Sequence, residues 1–200
     1  HRSKTGVGQY IDLALFDVQL AALANQSLNY LCSGQVPQRM GNAHPNICPY
    51  ESVQTKDNYL FLAVGNDEQF RKCCQVLGAE NLSTDKRFIS NPLRVEHRGT
   101  LMPMLASHFM KKSTADWLSL LSQMGVPCGP INSIDQAFND PQVKAREIQR
   151  TLNNAVGESV PQVANPVKFS ETPTAMTKAP PALGEDQQQL HQWLDEKIDD

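Results

Sequence analysis

The chain has 200 residues, 40% of them hydrophobic and 20% charged, with a formal net charge of −3. That is enough to bury a core and to form one large domain, or about one and a half. The acidic balance, with no basic run anywhere, argues against a nucleic-acid-binding face. No apolar run approaches the ~20 residues that cross a bilayer, and the first residues show no signal-peptide pattern.

Five cysteines, Cys32, Cys48, Cys73, Cys74 and Cys128, are odd in number and lack CxxC spacing. They suit reduced thiols in a cytoplasmic-type compartment. Neither they nor the five histidines make a metal-ligand pattern, so no structural zinc site is expected.

The opening residues read as the tail of a helix, a Gly-containing turn over Thr5 to Gly8, and a mostly buried strand carrying Tyr10, Ile11, Leu13, Leu15 and Phe16. From Asp17 the apolar period becomes helical, with Asp17 as N-cap and Gly34 past the end. A buried strand needs neighbours, so this segment is expected to pair with a partner chain or with a longer natural polypeptide.

Gly41 to Asn66 is the stretch around which the chain is organised. Pro45 and Pro49 fix their own φ and bias the residues before them toward extended backbone. Gly41 can adopt a positive φ. An ordered, non-helical loop is predicted, and on the residues alone it reads first as a structured connection feeding a hairpin. The hairpin strands are Tyr50 to Thr55 and Tyr59 to Val64, turning at Lys56-Asp57-Asn58.

Next comes a helix with Phe70, Cys73, Cys74 and Leu77 on one face, stopped by Gly78. Its adjacent cysteines point in different directions and read as core packing. A short capped turn covers Ser83 to Phe88. A longer helix from about Pro92 to Phe109 should kink or break near Arg98-Gly99. Ser113, Thr114 and Asp116 start another helix, with Trp117, Leu118, Leu121 and Met124 inward. Gly125 to Ile131 is read as a short extended segment, Ser133 to Phe138 as a brief helix, and Asp140-Pro141 as the start of another turn. Two strands are predicted within 149–170 around Gly157, then a Pro- and Thr-rich strap over Glu171 to Gly184. The last helix, about Glu185 to Ile198, carries Leu190, Trp193, Leu194 and Ile198 on one side.

Several blocks, in order, carry a resemblance. They are Arg2-Ser-Lys-Thr-Gly-Val-Gly-Gln9, Gly41-Asn42-Ala43-His44-Pro45 with Pro49-Tyr50, Thr55-Lys-Asp-Asn-Tyr59, Arg87-Phe88 with Asn91 and Arg94, Gly125-Val-Pro-Cys-Gly-Pro-Ile131, Asp140-Pro-Gln-Val143 and Ala179-Pro-Pro-Ala-Leu-Gly184. Together the chain resembles the C-terminal portion of the class III CoA-transferases, the formyl-CoA, crotonobetainyl-CoA and succinyl-CoA:glutarate type. The resemblance implies an α/β fold: a small α+β domain with a short antiparallel sheet, plus remnants of a Rossmann-like large domain. By that resemblance residues 1–45 are a large-domain segment of strand and helix, 46–144 the small domain, and 145–200 a return to the large domain.

The implied chemistry exchanges CoA between an acyl-CoA and a small carboxylic acid through an aspartyl anhydride, which must be positioned and shielded from water. The CoA thioester is substrate, and no permanently bound cofactor is implied. The matching acyl-CoA-site loop is Gly41, Asn42, Ala43, His44, Pro45 and Asn46, whose backbone amides near Ala43 to Asn46 would cover the acyl group and help bind oxyanions. The nucleophilic aspartate belongs to the half that precedes Arg2 in the family, so Asp12 and Asp17 are read as structural and the chain alone as inactive. The resemblance also implies a homodimer or pairing with that N-terminal half; composition, charge and cysteine usage point to the cytoplasm, with neither nucleic acid nor membrane as partner. Two alternatives remain: an alpha-methylacyl-CoA racemase-like fragment using Glu68, and a non-catalytic dimerisation module.

Overall fold

The computed structural model describes residues 1–198 and divides into two compact units, His1–Ile131 and a second beginning at Asn132. The first unit opens with α1 (Arg2–Thr5), α2 (Leu15–Ala22) and α3 (Asn25–Ser33). Helix α1 ends on Gly6 at φ 74, a left-handed C-terminal residue that glycine takes without a Cβ clash.

The strand expected from Tyr10 is not formed. Residues 7–14 are irregular, Leu15 and Phe16 already belong to α2, and Tyr10 is 91% exposed. A strand needs a hydrogen-bonded neighbour, and no described strand pairs with this segment. The single helix expected from Asp17 to Gly34 is two helices. Ala24 interrupts it at φ 49, outside the helical region.

The hairpin follows as predicted. Strands β1 (Tyr50–Gln54) and β2 (Tyr59–Ala63) pair antiparallel, with Val53 opposite Leu60 and Tyr50 opposite Ala63. Alternation places Leu60, Leu62 and Val64 inside. The extended segment near Gly129 is β3 (Cys128–Pro130), which pairs with β2, so β2 is the central strand.

Helices α7 (Arg98–Phe109) and α8 (Thr114–Gln123) pack against this sheet, α4 (Asp67–Leu77) packs on both of them and on α5 (Glu80–Thr84), and α6 (Asn91–Glu96) packs on α7. Helix α4 is capped by Asn66, whose side chain accepts from Gln69 N–H, and it buries Phe70, Cys73, Cys74 and Leu77. Gly78 closes it at φ 63. The long helix is broken at His97, which caps both α6 and α7. Leu101, Leu105 and Phe109 face the core despite Pro103. Helix α8 begins on Ser113, which accepts from Asp116 N–H, and turns Trp117 and Leu121 inward. The Trp117 indole N–H donates to Phe109 O at 2.7 Å, which satisfies its polar edge in the core.

The second unit holds α9 (Ile134–Asn139), α10 (Pro141–Ala145), the antiparallel pair β4 (Gln149–Asn153) and β5 (Ser159–Val163), and α11 (Gln187–Ile198). Ser133 and Gln136 form a reciprocal capping box on α9, and Asp140 caps α10. Residues 171–184 contain neither helix nor strand. On α11, Leu190, Trp193 and Leu194 are exposed. The side chain of Ile198, expected on the same face, lies outside the described residues. The whole is a mixed α/β fold with short antiparallel sheets.

Candidate functional site

The loop from Gly41 to Asn46 is held by hydrogen bonds on every side. Gly41 turns at φ 63, a conformation that any side chain would strain. Asn42 exchanges two hydrogen bonds with Ser52 of β1: Asn42 Nδ2 donates to Ser52 Oγ at 2.7 Å, and Ser52 N–H donates to Asn42 Oδ1 at 3.0 Å. The His44 ring lies 5.2 Å from the Tyr50 ring.

From Ala43 to Asn46 the backbone amides are already used. Ala43 N–H donates to Met40 O at 3.2 Å and His44 N–H to Tyr50 O at 2.9 Å. Asn46 N–H donates to His44 Nδ1 at 3.1 Å, and Pro45 has no N–H to give. Three of the amides expected to bind oxyanions are therefore committed inside the protein. What the loop offers outward is side chains, with Asn42 and Asn46 exposed and His44 half-buried.

From below, α6 and α7 clamp the same backbone. Arg98, at the start of α7, donates to His44 O, to Ile47 O at 2.9 Å and to Glu51 Oε1 at 3.0 Å. Asn91 donates to Asn46 O at 2.8 Å and accepts from Cys48 N–H at 3.1 Å. Arg94 is fully buried and donates to Cys48 O at 2.8 Å, Phe88 O at 3.0 Å and Asp67 Oδ1 at 2.7 Å. Its guanidinium also stacks 4.5 Å above the Phe70 ring. The clamp was not legible in the sequence, because all three side chains reach the loop across more than forty residues.

Helix α3 closes the loop's other side. Asn29 and Asn46 form a reciprocal amide pair, Asn29 Nδ2 to Asn46 Oδ1 at 2.9 Å and Asn46 Nδ2 to Asn29 Oδ1 at 3.1 Å. Asn25 Nδ2 donates to Asn46 Oδ1 at 3.4 Å and lies 3.5 Å from His44 Nε2. Sequence reasoning passed over both asparagines, since a polar residue on an amphipathic helix carries no signal of its own.

The other titratable residues are placed differently. Asp12 sits in irregular chain rather than a strand, and Asp17 lies in the first turn of α2 instead of capping it. Glu68 pairs with Arg71 and, at 3.6 Å, with Lys72 on its own helix. Asp67 is engaged by Arg94. Burial pushes the Cys48 thiol up to about 11 and the Cys74 thiol up to about 12, and raises those of Cys73 and Cys128 as well. Thiols raised this way are poor nucleophiles at neutral pH.

Among the described residues no group of three or more His, Cys, Asp or Glu side chains is arranged to hold a metal ion. Nor is any helix among them long and apolar enough to cross a membrane. In the second unit an open cavity of about 790 Å³ lies between α9, α10 and the β4–β5 pair.

The sequence is 46% identical over 190 residues to the succinate–glutarate CoA-transferase of Agrobacterium fabrum, covering 95% of this chain and 48% of that protein. It is 36% identical over 184 residues to the human succinyl-CoA:glutarate CoA-transferase, covering 91% and 42%. The crystal structure of a CAIB/BAIF family protein from Brucella suis superposes with a TM-score of 0.74 at 41% identity, covering 96% of this chain and 50% of that one. The chain thus spans about half the length of the curated relatives it matches. The model of CoA-transferase family III matches residues 1–187. This chain belongs to CoA-transferase family III.

Proposed function

We propose that these 200 residues supply one portion of an enzyme that moves coenzyme A between an acyl-CoA and a carboxylic acid, with Gly41–Asn46 as the loop over the acyl group. The observation that carries the reading is the 46% identity, over 190 residues, to a succinate–glutarate CoA-transferase. The clamped loop gives it a physical basis. An anhydride intermediate survives only where water is kept out, and a cover pinned by Arg98, Asn91 and Asn29 holds its shape without further ordering.

The chemistry follows from the resemblance to the class III enzymes. A carboxylate oxygen of the enzyme attacks the thioester carbon, the C–S bond breaks and CoA leaves as thiolate. The thiolate then attacks the enzyme's acyl carbon and releases the first acid as its carboxylate. The acceptor acid attacks the enzyme-bound thioester and expels CoA thiolate again. That thiolate takes the acceptor's acyl group and restores the enzyme carboxylate. In this reading the nucleophile comes from the part of the relatives that these residues do not span.

Because the amides from Ala43 to Asn46 are committed, this stretch contributes cover, orientation and outward side chains rather than an amide oxyanion hole. Four-carbon and five-carbon dicarboxylates, such as those named for the relatives, are the substrates of choice. A homodimer in the cytoplasm belongs to the same reading.

The experiment combines this chain with the unmatched portion of the Agrobacterium relative and measures CoA transfer from succinyl-CoA to glutarate. Transfer in the combination, with none from either part, supports the reading. Transfer by the 200 residues alone contradicts it and turns attention to Glu68 and Asp67.

A further inference from the structure

The backbone N–H of Asn46 can only donate, so His44 Nδ1, which receives it at 3.1 Å, carries no proton. In the neutral ring the proton then resides on Nε2. Across from Nε2 lies Asn25 Nδ2, at 3.5 Å. That amide nitrogen is itself oriented as a donor, toward Asn46 Oδ1, and the Asn29–Asn46 reciprocal pair holds that oxygen in place. Two N–H donors thus face one another and neither can satisfy the other. Asn25 is exposed and His44 is half-buried, so a solute can reach the gap between them.

We infer that the Asn25 amide and His44 Nε2–H form a two-donor cradle for one carboxylate group, that of a dicarboxylic acid which is not undergoing transfer. The inference rests on the proposed function and adds residues of α3 to its site. A carboxylate oxygen accepts from two donors at once, and charge-assisted hydrogen bonds are the stronger kind. A rigid donor pair selects a dicarboxylate over a monocarboxylate of equal length, because the monocarboxylate leaves both donors unpaired.

The test begins on the 200-residue chain by nitrogen-15 NMR. His44 is expected as the Nε2–H tautomer. Glutarate should shift the His44 and Asn25 side-chain resonances saturably, while its uncharged diamide should not. In Asn25→Asp the introduced carboxylate occupies the cradle, and the glutarate response should disappear with the fold unchanged by circular dichroism. An Nδ1–H tautomer, or an equal response to glutarate in Asn25→Asp, overturns the inference.

In the combined enzyme, Asn25→Asp should lower the preference for glutarate over pentanoate about tenfold, mainly through KM. Equal losses for both acids would mean a structural role and would also overturn the inference. Lack of transfer by the wild-type combination sinks the proposed function instead, and leaves the NMR result to decide the cradle.

Discussion

Arg94 and Asp67 form an asymmetric ion pair: the guanidinium side chain is fully buried, whereas the carboxylate is 53% exposed, at a separation of 2.7 Å. The buried partner is also bonded to Cys48 O and Phe88 O, so it ties the loop, α6 and α4 together. Losing each partner should therefore cost differently. Arg94→Ala removes three donors and leaves a cavity, and should destabilise the chain by about 3 kcal/mol. Asp67→Asn keeps an acceptor at a solvent-screened site and should cost about 1 kcal/mol or less. Urea unfolding of both variants checks the ranking, and equal losses would contradict it.

Arg98 is the second clamp. Arg98→Ala frees His44 O and Ile47 O, so the loop should loosen while the hairpin stays intact. Hydrogen exchange at the Ala43, His44 and Asn46 amides should speed at least tenfold, with Val53 and Leu60 unchanged.

A third knot sits at the hairpin turn. Thr55 is buried, its hydroxyl contacts Thr114 Oγ1 at 2.7 Å, and Asp57 Oδ1 accepts from Thr114 N–H at 2.8 Å. Above all that backbone N–H holds the Asp57 carboxyl below its ordinary 3.8. Likewise the Arg87 side chain holds Asp85 at about 2. Both folded values are depressed, so their stabilisation is present above the unfolded value near 3.8. It is lost as pH falls below that value, for Asp85 on the way down to about 2. Asp57→Asn should flatten the acid limb of a stability–pH curve, and an unchanged limb would contradict the assignment.

The cysteines titrate in the opposite sense. Cys48 and Cys74 are raised from 9.0 to about 11 and about 12, so the neutral thiol is the form the fold keeps. Their contribution is complete below pH 9 and is lost as pH rises through those values. Stability should fall on the alkaline side in wild type, and less steeply in Cys48→Ser, Cys74→Ala. At neutral pH, Cys32, which is exposed, should react fastest with a thiol reagent, and Cys73 and Cys74 only on unfolding.

Where local chemistry decides the structure, the sequence was readable. The buried face of α4, the Ser113 cap and the break at His97 follow from apolar spacing, a side-chain acceptor and the restrictions of Gly99 and Pro103. The failure at Tyr10 to Phe16 has an equally physical cause. Apolar periodicity says that a segment is suited to burial, but strand formation needs a neighbour, and these side chains are exposed. The candidate site was half legible: the Gly-Asn turn and its two prolines marked the loop. The partners that fix it, Asn25, Asn29, Asn91 and Arg98, reach it only through tertiary contacts.

The most direct test of the central claim is CoA transfer from succinyl-CoA to glutarate, measured for this chain alone, for the unmatched portion of the Agrobacterium relative alone, and for the two together. The account predicts transfer only in the mixture, reduced by His44→Ala or Arg98→Ala. Transfer by the 200 residues alone, or a mixture that assembles but moves no CoA, would contradict it.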